Sequence, residues 1–238
     1  MSNRRRLAIL GASGHGKVVA DIAIQSGWQD LTFYDDAWPR MTRHEHWEVR
    51  GTLPMLLHDL PGFDGVIVAI GHNGIREAKL EALLAHGARV VSLVHPRATV
   101  SPLAKLGPGC VVVAGAVINA FASLGEGCIV NTCASVGHDC RLAACVHVAP
   151  GANVAGDVEI GRTSWIGAGA AVRQGMNIGE GVMVGAGAAV VADVGDRQVV
   201  GGVPARPLSP SSAEAGADPL SDTSNVLRLN LPSSQGRP

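Results

Sequence analysis

The chain has 238 residues, long enough for one large or two modest domains, and its formal net charge at pH 7 is −1. This near-neutral charge argues against a nucleic-acid or membrane-surface partner, and no apolar run in the sequence has transmembrane length. The apolar stretch after Arg4-Arg5-Arg6 is short and ends at a glycine, which favours a first strand over a signal peptide. We therefore expect a soluble, cytoplasmic protein.

The first part of the chain, residues 1–95, alternates apolar runs with helical stretches, which predicts a small, Rossmann-like parallel α/β sheet. The apolar runs are predicted to be strands at residues 7–10, 31–34, 66–70 and 89–94. Helices are predicted from Lys17 to about Ser26 and from about Ile75 to His86. Residues 37–52 are interpreted as an irregular loop.

Three polar or glycine-rich loops follow the predicted strands of this part. They are Gly11-Ala12-Ser13-Gly14-His15-Gly16, Asp35-Asp36 and Gly71-His72-Asn73. Ligands bind beyond the carboxyl ends of parallel strands, and a helix N-terminus favours phosphate, so the converging loops predict a nucleotide-type ligand. The glycine pattern is GxxGxG and not GxGxxG, which gives only weak support for NAD(P). The alternative is that the glycines merely form a tight turn and the aspartates cap it.

Residues 96–207 carry an aliphatic residue at every sixth position, without a slip from Val100 to Val190. The residue four positions after each of these is small or compact, for example Ala116 and Cys128. Neither a helix nor an alternating sheet has this period, whereas a parallel β-helix does. The pattern predicts three hexads in each coil, with the aliphatic side chains inside a narrow prism and the small ones at its corners.

All five cysteines lie in this repeat region, and none is spaced as a CxxC pair. Three of them, Cys110, Cys128 and Cys140, occupy the small position of the hexad. We interpret them as reduced, compact filling of the core, and expect neither a zinc site nor a disulfide framework.

The run from Asn131 to Asp139 holds the richest chemistry of the repeats. His138 lies two positions after the inward Val136 and is expected to point outward, beside Asp139. A nearby carboxylate raises the pKa of an imidazole and fixes its orientation, which suits a general base. His147 follows nine residues later. The alternative is that the two histidines are ordinary surface residues.

From residue 208 to residue 238, Ser, Pro, Ala and Gly dominate without sustained periodicity, and this tail is predicted to be disordered.

With these motifs in hand, the chain resembles the bacterial nucleotide-sugar N-acetyltransferases that join a small α/β domain to a left-handed β-helix, and the related sialic-acid O-acetyltransferases. The resemblance covers about residues 5–207. It is carried by the following motifs: Gly11-Ala12-Ser13-Gly14-His15-Gly16, Asp35-Asp36, Ala69-Ile70-Gly71, Asn131 through Asp139, His147-Val148-Ala149-Pro150-Gly151-Ala152 and Val203-Pro204-Ala205.

The resemblance implies an acetyl-CoA-dependent enzyme that acetylates the amino group of a nucleotide-linked, 4-amino-4,6-dideoxy type of sugar. It also implies a homotrimer with active sites between adjacent β-helices and no metal. By the same resemblance, His138 is the general base and Asp139 increases its basicity. The residues implied to contact acetyl-CoA are His147, Ala168 and Ala186. Those implied to hold the sugar nucleotide are Ser13, Gly14, His15, Asp35, Asp36 and Gly71. Asn131 is a further candidate for the active site.

Other interpretations stay open at this point. Asp139 stands where some N-acetylating members have Glu, and the shorter acid also occurs in O-acetylating relatives, so O-acetylation of a sialic-acid-like sugar is the main alternative. A metal-dependent β-helix enzyme would need three histidines, and the repeats offer only His138 and His147. A non-catalytic solenoid is the remaining alternative.

Overall fold

The computed structural model describes residues 4 to 208, of which the N-terminal part forms a sheet flanked by helices. The strands of this part are β1 (Arg6–Leu10), β2 (Asp30–Tyr34), β3 (Arg43–His44), β4 (Trp47–Gly51) and β5 (Gly65–Val68). The helices are α1 (Gly14–Gln25), α2 (Leu53–Asp59) and α3 (Asn73–Ala85), with a 3₁₀ helix at Leu60–Gly62. The strand order is β3-β4-β2-β1-β5, in which only the β3–β4 pair is antiparallel.

Strand β1 is at the centre of this sheet and is covered on both faces. Leu7 and Ile9 pack with the buried side of α1 in one hydrophobic cluster. Ala8 and Leu10 point the other way and pack with Leu80 of α3 in a second cluster. A parallel strand that is buried on both faces is a continuous apolar run rather than an alternating one, as the sequence of β1 shows.

The prediction of an irregular loop at residues 37–52 is wrong. Strand β4 lies in this segment and adds to the sheet beside β2, and β3 pairs with it as a hairpin. The buried residues of β4 alternate with exposed ones, since Val49 and Gly51 are buried while Glu48 and Arg50 are exposed. This alternation is the pattern of a strand near the sheet edge, but it covers too few residues to stand out among the surrounding polar residues.

The C-terminal part is a prism of short strands on three faces, all parallel except the last strand, which pairs antiparallel with the one before it. Face 1 contains β6 (Leu93–Val94), β9 (Val111–Val112), β12 (Ile129–Val130), β15 (His147–Val148), β18 (Trp165–Ile166), β21 (Met183–Val184), β23 (Val199–Gly201) and β24 (Arg206–Pro207). Face 2 contains β7 (Thr99–Val100), β10 (Val117–Ile118), β13 (Ser135–Val136), β16 (Asn153–Val154), β19 (Ala171–Val172) and β22 (Ala189–Val190). Face 3 contains β8 (Lys105–Leu106), β11 (Ser123–Leu124), β14 (Arg141–Leu142), β17 (Glu159–Ile160) and β20 (Asn177–Ile178).

Successive strands on one face are one coil of three hexads apart. Ile118 pairs with Val100 on one side and with Val136 on the other. The aliphatic and the small residues of the hexads form one continuous core, which includes the completely buried thiols of Cys110, Cys128 and Cys140. The chain is therefore an α/β sheet followed by a left-handed parallel β-helix, and the predicted fold class is confirmed.

The last strand predicted for the α/β sheet, residues 89–94, joins both parts. Val90 forms a bridge to Val66 of β5, whereas Leu93–Val94 pairs with β9 of face 1. The chain thus passes from the sheet to the prism within three residues, and the outward-facing Val111 and Ile129 of face 1 pack into the core beside α1. The division of the chain into domains at residue 95 stays a prediction.

Two sequence-based expectations concern the chain ends and the membrane. The tail predicted to be disordered, residues 208–238, lies outside the described residues except for Leu208. Within residues 4–208, no helix has the length and apolar character needed to cross a membrane.

Candidate active site

The glycine loop, Gly11–Gly16, comprises the turn after β1 and the first residues of α1, and it is shaped by close backbone approach. Gly11 has a φ of +114°, and a Cβ there would lie 2.8 Å from the carbonyl oxygen of Ala69. A Cβ on Gly16 would lie 2.5 Å from the Gly11 carbonyl oxygen. Side chains are therefore excluded at both positions. Gly14 has open space around it, and Ser13 and Gly14 are exposed at the N-terminus of α1, where a phosphate is favoured.

The two predicted aspartates have different roles in the structure. The carboxylate of Asp35 accepts hydrogen bonds from the N–H groups of Ala12 (2.7 Å) and Ala37 (2.8 Å), so it fixes the glycine loop to the end of β2. Asp36 is exposed and forms an ion pair with Lys79 of α3 at 2.6 Å. Asp36 is therefore the more accessible carboxylate of the pair.

A buried arginine connects this sheet edge to the β-helix. Arg76 of α3 is 1% exposed and donates five hydrogen bonds. Two of them go to the carbonyl oxygens of Ile70 and Gly71, and two go to those of Gly127 and Cys145 in the β-helix. The guanidinium thus fixes the backbone of the predicted Gly71 loop against the corner of the prism that precedes face 1.

At this connection, His15 of the glycine loop meets His147 of face 1, with their ring centroids 6.5 Å apart. The side-chain amide of Asn131 lies 3.1 Å from Nε2 of His147, and its Oδ1 accepts from the N–H of Thr132 at 2.8 Å. Because this second bond orients the amide, Nδ2 donates to Nε2, and the neutral His147 ring carries its proton on Nδ1. We call His15, Asn131 and His147 the junction cluster.

Two imidazole nitrogens of the junction cluster are buried without a partner. Nε2 of His15 and Nδ1 of His147 form no hydrogen bond with any residue in the range 4–208. Leaving a buried polar atom unpaired costs about 1–3 kcal/mol, so native proteins rarely do so without a functional reason. These two atoms are therefore the strongest indication of a ligand-binding position in the described part of the chain.

Burial keeps both rings neutral. It lowers the pKa of His15 to about 4, and the positive charge of Arg76 acts in the same direction. Burial also lowers the pKa of His147 well below its ordinary value, with Arg76 and His15 as further causes and the backbone of Gly71 as a weaker opposing one. Both side chains are thus available as neutral hydrogen-bonding groups at pH 7.

This burial predicts a loss of stability in mild acid. Below pH 6.5 an unfolded chain binds a proton at His15 that the folded chain does not bind until about pH 4, so the free energy of unfolding falls as the pH is lowered. From pH 7 to pH 5 the expected loss from His15 alone is about 2 kcal/mol. Urea unfolding at both pH values measures it.

The matched variants for this measurement are His15→Gln and His58→Gln. His15→Gln is expected to lose less stability than the wild type between pH 7 and pH 5. The side chain of His58 is 90% exposed. His58→Gln is therefore expected to lose as much stability between pH 7 and pH 5 as the wild type does. Equal pH dependence of the wild type and His15→Gln would refute the burial argument.

Ala168 and Ala186 lie at the corner of the prism that follows face 1, where they are exposed. The carbonyl of Ala168 accepts from the N–H of Gly187 (2.8 Å), and that of Pro150 accepts from Gly169 (2.9 Å), so the backbone of successive coils is stacked along this edge. We call it the first corner. Asn131 of the junction cluster lies at this same corner, so the first corner begins at the junction cluster and runs along the β-helix from there.

His138 lies at the next corner, which follows face 2 and which we call the second corner. Its side chain is 68% exposed, and its Nδ1 is 2.7 Å from Oδ2 of Asp139. With Nδ1–H donating to the carboxylate, Nε2 keeps its lone pair and can accept a proton.

The structure thus brings together some of the predicted site residues and separates others. Ser13, Gly14, His15, Gly71, Asn131 and His147 lie around the junction, and Ala168 and Ala186 continue along the first corner. His138 and Asp139 lie at the second corner, across the width of face 2. Within one chain, the predicted general base is therefore on a different edge of the prism from the junction cluster.

Three residues at this site were missed by the sequence-based reasoning. Arg76 joins the Gly71 loop to the β-helix through its hydrogen bonds. The ring of Trp165 packs on that of His147 at 4.1 Å. The imidazole of His44 in β3 donates from Nε2 to the carbonyl of Ser13 at 3.1 Å and so supports the glycine loop. A buried arginine without an acidic partner leaves no signal in the sequence, whereas Trp165 shares its hexad position with His147 and was detectable.

Several known proteins resemble this chain. Residues 6–83 match the family described as the PglD N-terminal domain. UDP-N-acetylbacillosamine N-acetyltransferase of Bacillus subtilis (strain 168) is 34% identical over 120 residues, which are 46% of this chain and 52% of that protein. The chain thus spans about half the length of this curated relative.

Solved structures give longer matches. The acetyltransferase domain of PglB from Neisseria gonorrhoeae FA1090, in complex with acetyl coenzyme A, is 45% identical, with a TM-score of 0.82 over 87% of this chain and 100% of that one. PerB from Caulobacter crescentus, in complex with CoA and GDP-perosamine, is 37% identical, with a TM-score of 0.80 over 85% of this chain and 97% of that one. Among residues 4–208, no group of three or more His, Cys, Asp or Glu is placed to hold a metal ion.

Proposed function

This chain belongs to the nucleotide-sugar N-acetyltransferases with a left-handed β-helix, and we propose that it transfers acetyl from acetyl-CoA to the amino group of a nucleotide-linked, 4-amino-4,6-dideoxy type of sugar. The observation that carries the proposal is the junction cluster, where a loop suited to phosphate and a corner suited to CoA meet at two buried, unpartnered imidazole nitrogens. The similar PglB domain binds acetyl coenzyme A, and the similar PerB binds CoA with GDP-perosamine.

The nucleotide end of the substrate fits the sheet edge of the α/β part. The exposed N-terminus of α1 offers Ser13 and Gly14 to a phosphate. Asp36 is placed to accept hydrogen bonds from a ribose or a base, while Asp35 and Gly71 keep the loops in place. The sugar then extends toward His15, which lies between this edge and face 1.

Acetyl-CoA fits the first corner, where the exposed backbone around Ala168 and Ala186 leads to His147. The Nδ1–H of His147 is buried and forms no hydrogen bond within residues 4–208, so it can donate to an oxygen of either substrate.

The general base in this proposal is His138. Nε2 of His138 takes a proton from the sugar amine as the nitrogen forms a bond to the thioester carbonyl carbon. The carbon–sulfur bond breaks, and the thiolate of CoA leaves and receives the proton. Asp139 holds Nδ1–H at 2.7 Å and so keeps the basic nitrogen directed outward.

A homotrimer would complete the site. In one chain, His138 and the junction cluster lie on opposite edges of face 2. When two β-helices are placed side by side, the second corner of one can face the first corner of the next, which brings His138 to the acetyl group. The trimer and the cytoplasmic location stay predictions.

The experiment is an acetyl-transfer assay on the purified full chain. Acetyl-CoA is offered with UDP-, GDP- and dTDP-linked 4-amino sugars and, separately, with free sialic acids. We expect release of CoA thiol and the mass gain of one acetyl group on a nucleotide-linked amino sugar, with the same sugar lacking the amino group as the control. Acetylation of free sialic acids alone would instead establish O-acetylation, and no transfer to either class would overturn the proposal.

A further inference from the structure

We propose that Gly156 is a positioning residue for the acetyl transfer, because its missing side chain makes room for the imidazole of His138. This inference rests on the proposed function, since it takes His138 as the general base. Gly156 lies at the second corner, one coil after His138. The two coils are joined there by the hydrogen bond from the N–H of Asp157 to the carbonyl of His138, at 2.8 Å.

The ring of His138 lies directly against the backbone of Gly156. A Cβ on Gly156 would be 2.5 Å from Nε2, 2.6 Å from Cε1 and 3.0 Å from Cδ2 of His138. These distances are well below van der Waals contact, so a side chain at position 156 and the present ring position exclude each other. The opposite side of the ring is held by Asp139 through Nδ1 at 2.7 Å. The imidazole is thus fixed between a carboxylate and a glycine.

The fold itself does not require glycine at this position. The backbone of Gly156 does not have a positive φ. The left-handed residue of this corner is Asp157, with a φ of +56°. The equivalent position in other coils carries a side chain, as in Ala120, Gln174 and Ala192. The atoms nearest to a Cβ at 156 all belong to the His138 ring. The glycine therefore serves the position of this ring.

Alanine at position 156 is expected to displace the base without disturbing the fold. His138 is 68% exposed, so its ring can rotate into solvent at little cost to stability. Rotation breaks the geometry with Asp139 and moves Nε2 away from the point where it accepts the proton. A displacement of about 1 Å at a reacting group can reduce the rate about 10²-fold.

The test compares Gly156→Ala with the wild type in the acetyl-transfer assay. We expect kcat to fall about 10²-fold, with KM for both substrates roughly unchanged and the midpoint of thermal unfolding equal or slightly raised. Gly62→Ala is the matched control, because a Cβ at Gly62 would only meet Arg6 Nη1 at an ordinary 3.5 Å. A crystal structure of Gly156→Ala should show the His138 ring turned away from Asp139.

A double-mutant cycle separates positioning from a general structural effect. In a His138→Ala background, Gly156→Ala should cause no further loss, because the ring that it displaces is gone. Full activity of Gly156→Ala, an additive loss in the double variant, or an unmoved ring in the crystal structure would each overturn the inference. None of these outcomes touches the proposed function, which fails only if the wild type transfers no acetyl group to a nucleotide-linked amino sugar.

Discussion

Replacing His138 with alanine is expected to reduce kcat by about 10²–10⁴-fold, the range typical of a lost general base. The sugar amine would then have no group to take its proton as it attacks the thioester. Because the His138 side chain is 68% exposed and packs into no core cluster, the midpoint of thermal unfolding should stay that of the wild type. Steady-state kinetics with acetyl-CoA and the preferred sugar nucleotide measures the effect.

The chain provides a matched control for this variant. His58 on α2 also neighbours an aspartate in sequence, and its Nδ1 lies 3.1 Å from Oδ1 of Asp59. His58→Ala removes a similar exposed His–Asp pair away from the β-helix and should leave kcat unchanged. If His138→Ala were fully active, or as active as His58→Ala, another group would have to be the base.

An oligomer that contains two different variants tests whether His138 acts in the site of its own chain or in that of a neighbouring subunit. If the second corner of one subunit completes the junction cluster of the next, a mixed oligomer of His138→Ala and His15→Ala contains some intact sites. Co-expression of the two differently tagged chains should then give more activity than either variant has alone. Absence of restoration in a verified mixed oligomer would place the whole site within one chain.

The β-helix was predictable because its geometry is nearly one-dimensional. Once Val100 and Val136 are assigned to the core, each other residue of the repeats has a fixed coil, face and corner. The outward position of His138 beside Asp139 follows from this numbering alone, and the structure places the two side chains 2.7 Å apart.

The environment of His147 could not be predicted in the same way. The hexad places this residue on the outside of face 1, where a solvent-exposed side chain is the default. Its burial depends on the packing of the α/β part over that face. This packing brings the ring centroid of His15 to 6.5 Å from that of His147, although the two residues are 132 positions apart in the sequence. No period in the sequence records how two parts of a chain dock.

Arg76 shows the same limit more clearly. In the sequence Asn73-Gly74-Ile75-Arg76-Glu77, an arginine one turn into a helix is typical of a solvent-exposed face. In the structure its partners include two backbone carbonyl oxygens that are 51 and 69 residues away, those of Gly127 and Cys145. Carbonyl groups carry no residue-type signal, so the network is invisible until the fold is known.

Replacing Arg76 with methionine is expected to reduce the free energy of unfolding by roughly 2–4 kcal/mol, the cost of leaving buried carbonyl acceptors without their donor. Methionine fills similar volume, but the carbonyl oxygens of Gly127 and Cys145 would lose their donor while remaining buried. Each unpaired acceptor costs about 1–3 kcal/mol. Urea unfolding at pH 7 measures the loss.

Arg162→Ala is the control that separates burial from charge. Arg162 also connects the β-helix to α3, through a 2.7 Å ion pair with Glu77, but this arginine is half exposed. An exposed pair is screened by water and contributes little, so Arg162→Ala should unfold at nearly the same urea concentration as the wild type. If the two variants lost equal stability, the attachment of α3 to the β-helix would depend on charge in general. If only Arg76→Met is destabilised, the attachment depends on the five hydrogen bonds of one buried guanidinium, which also hold the backbone of Gly71 beside the junction cluster.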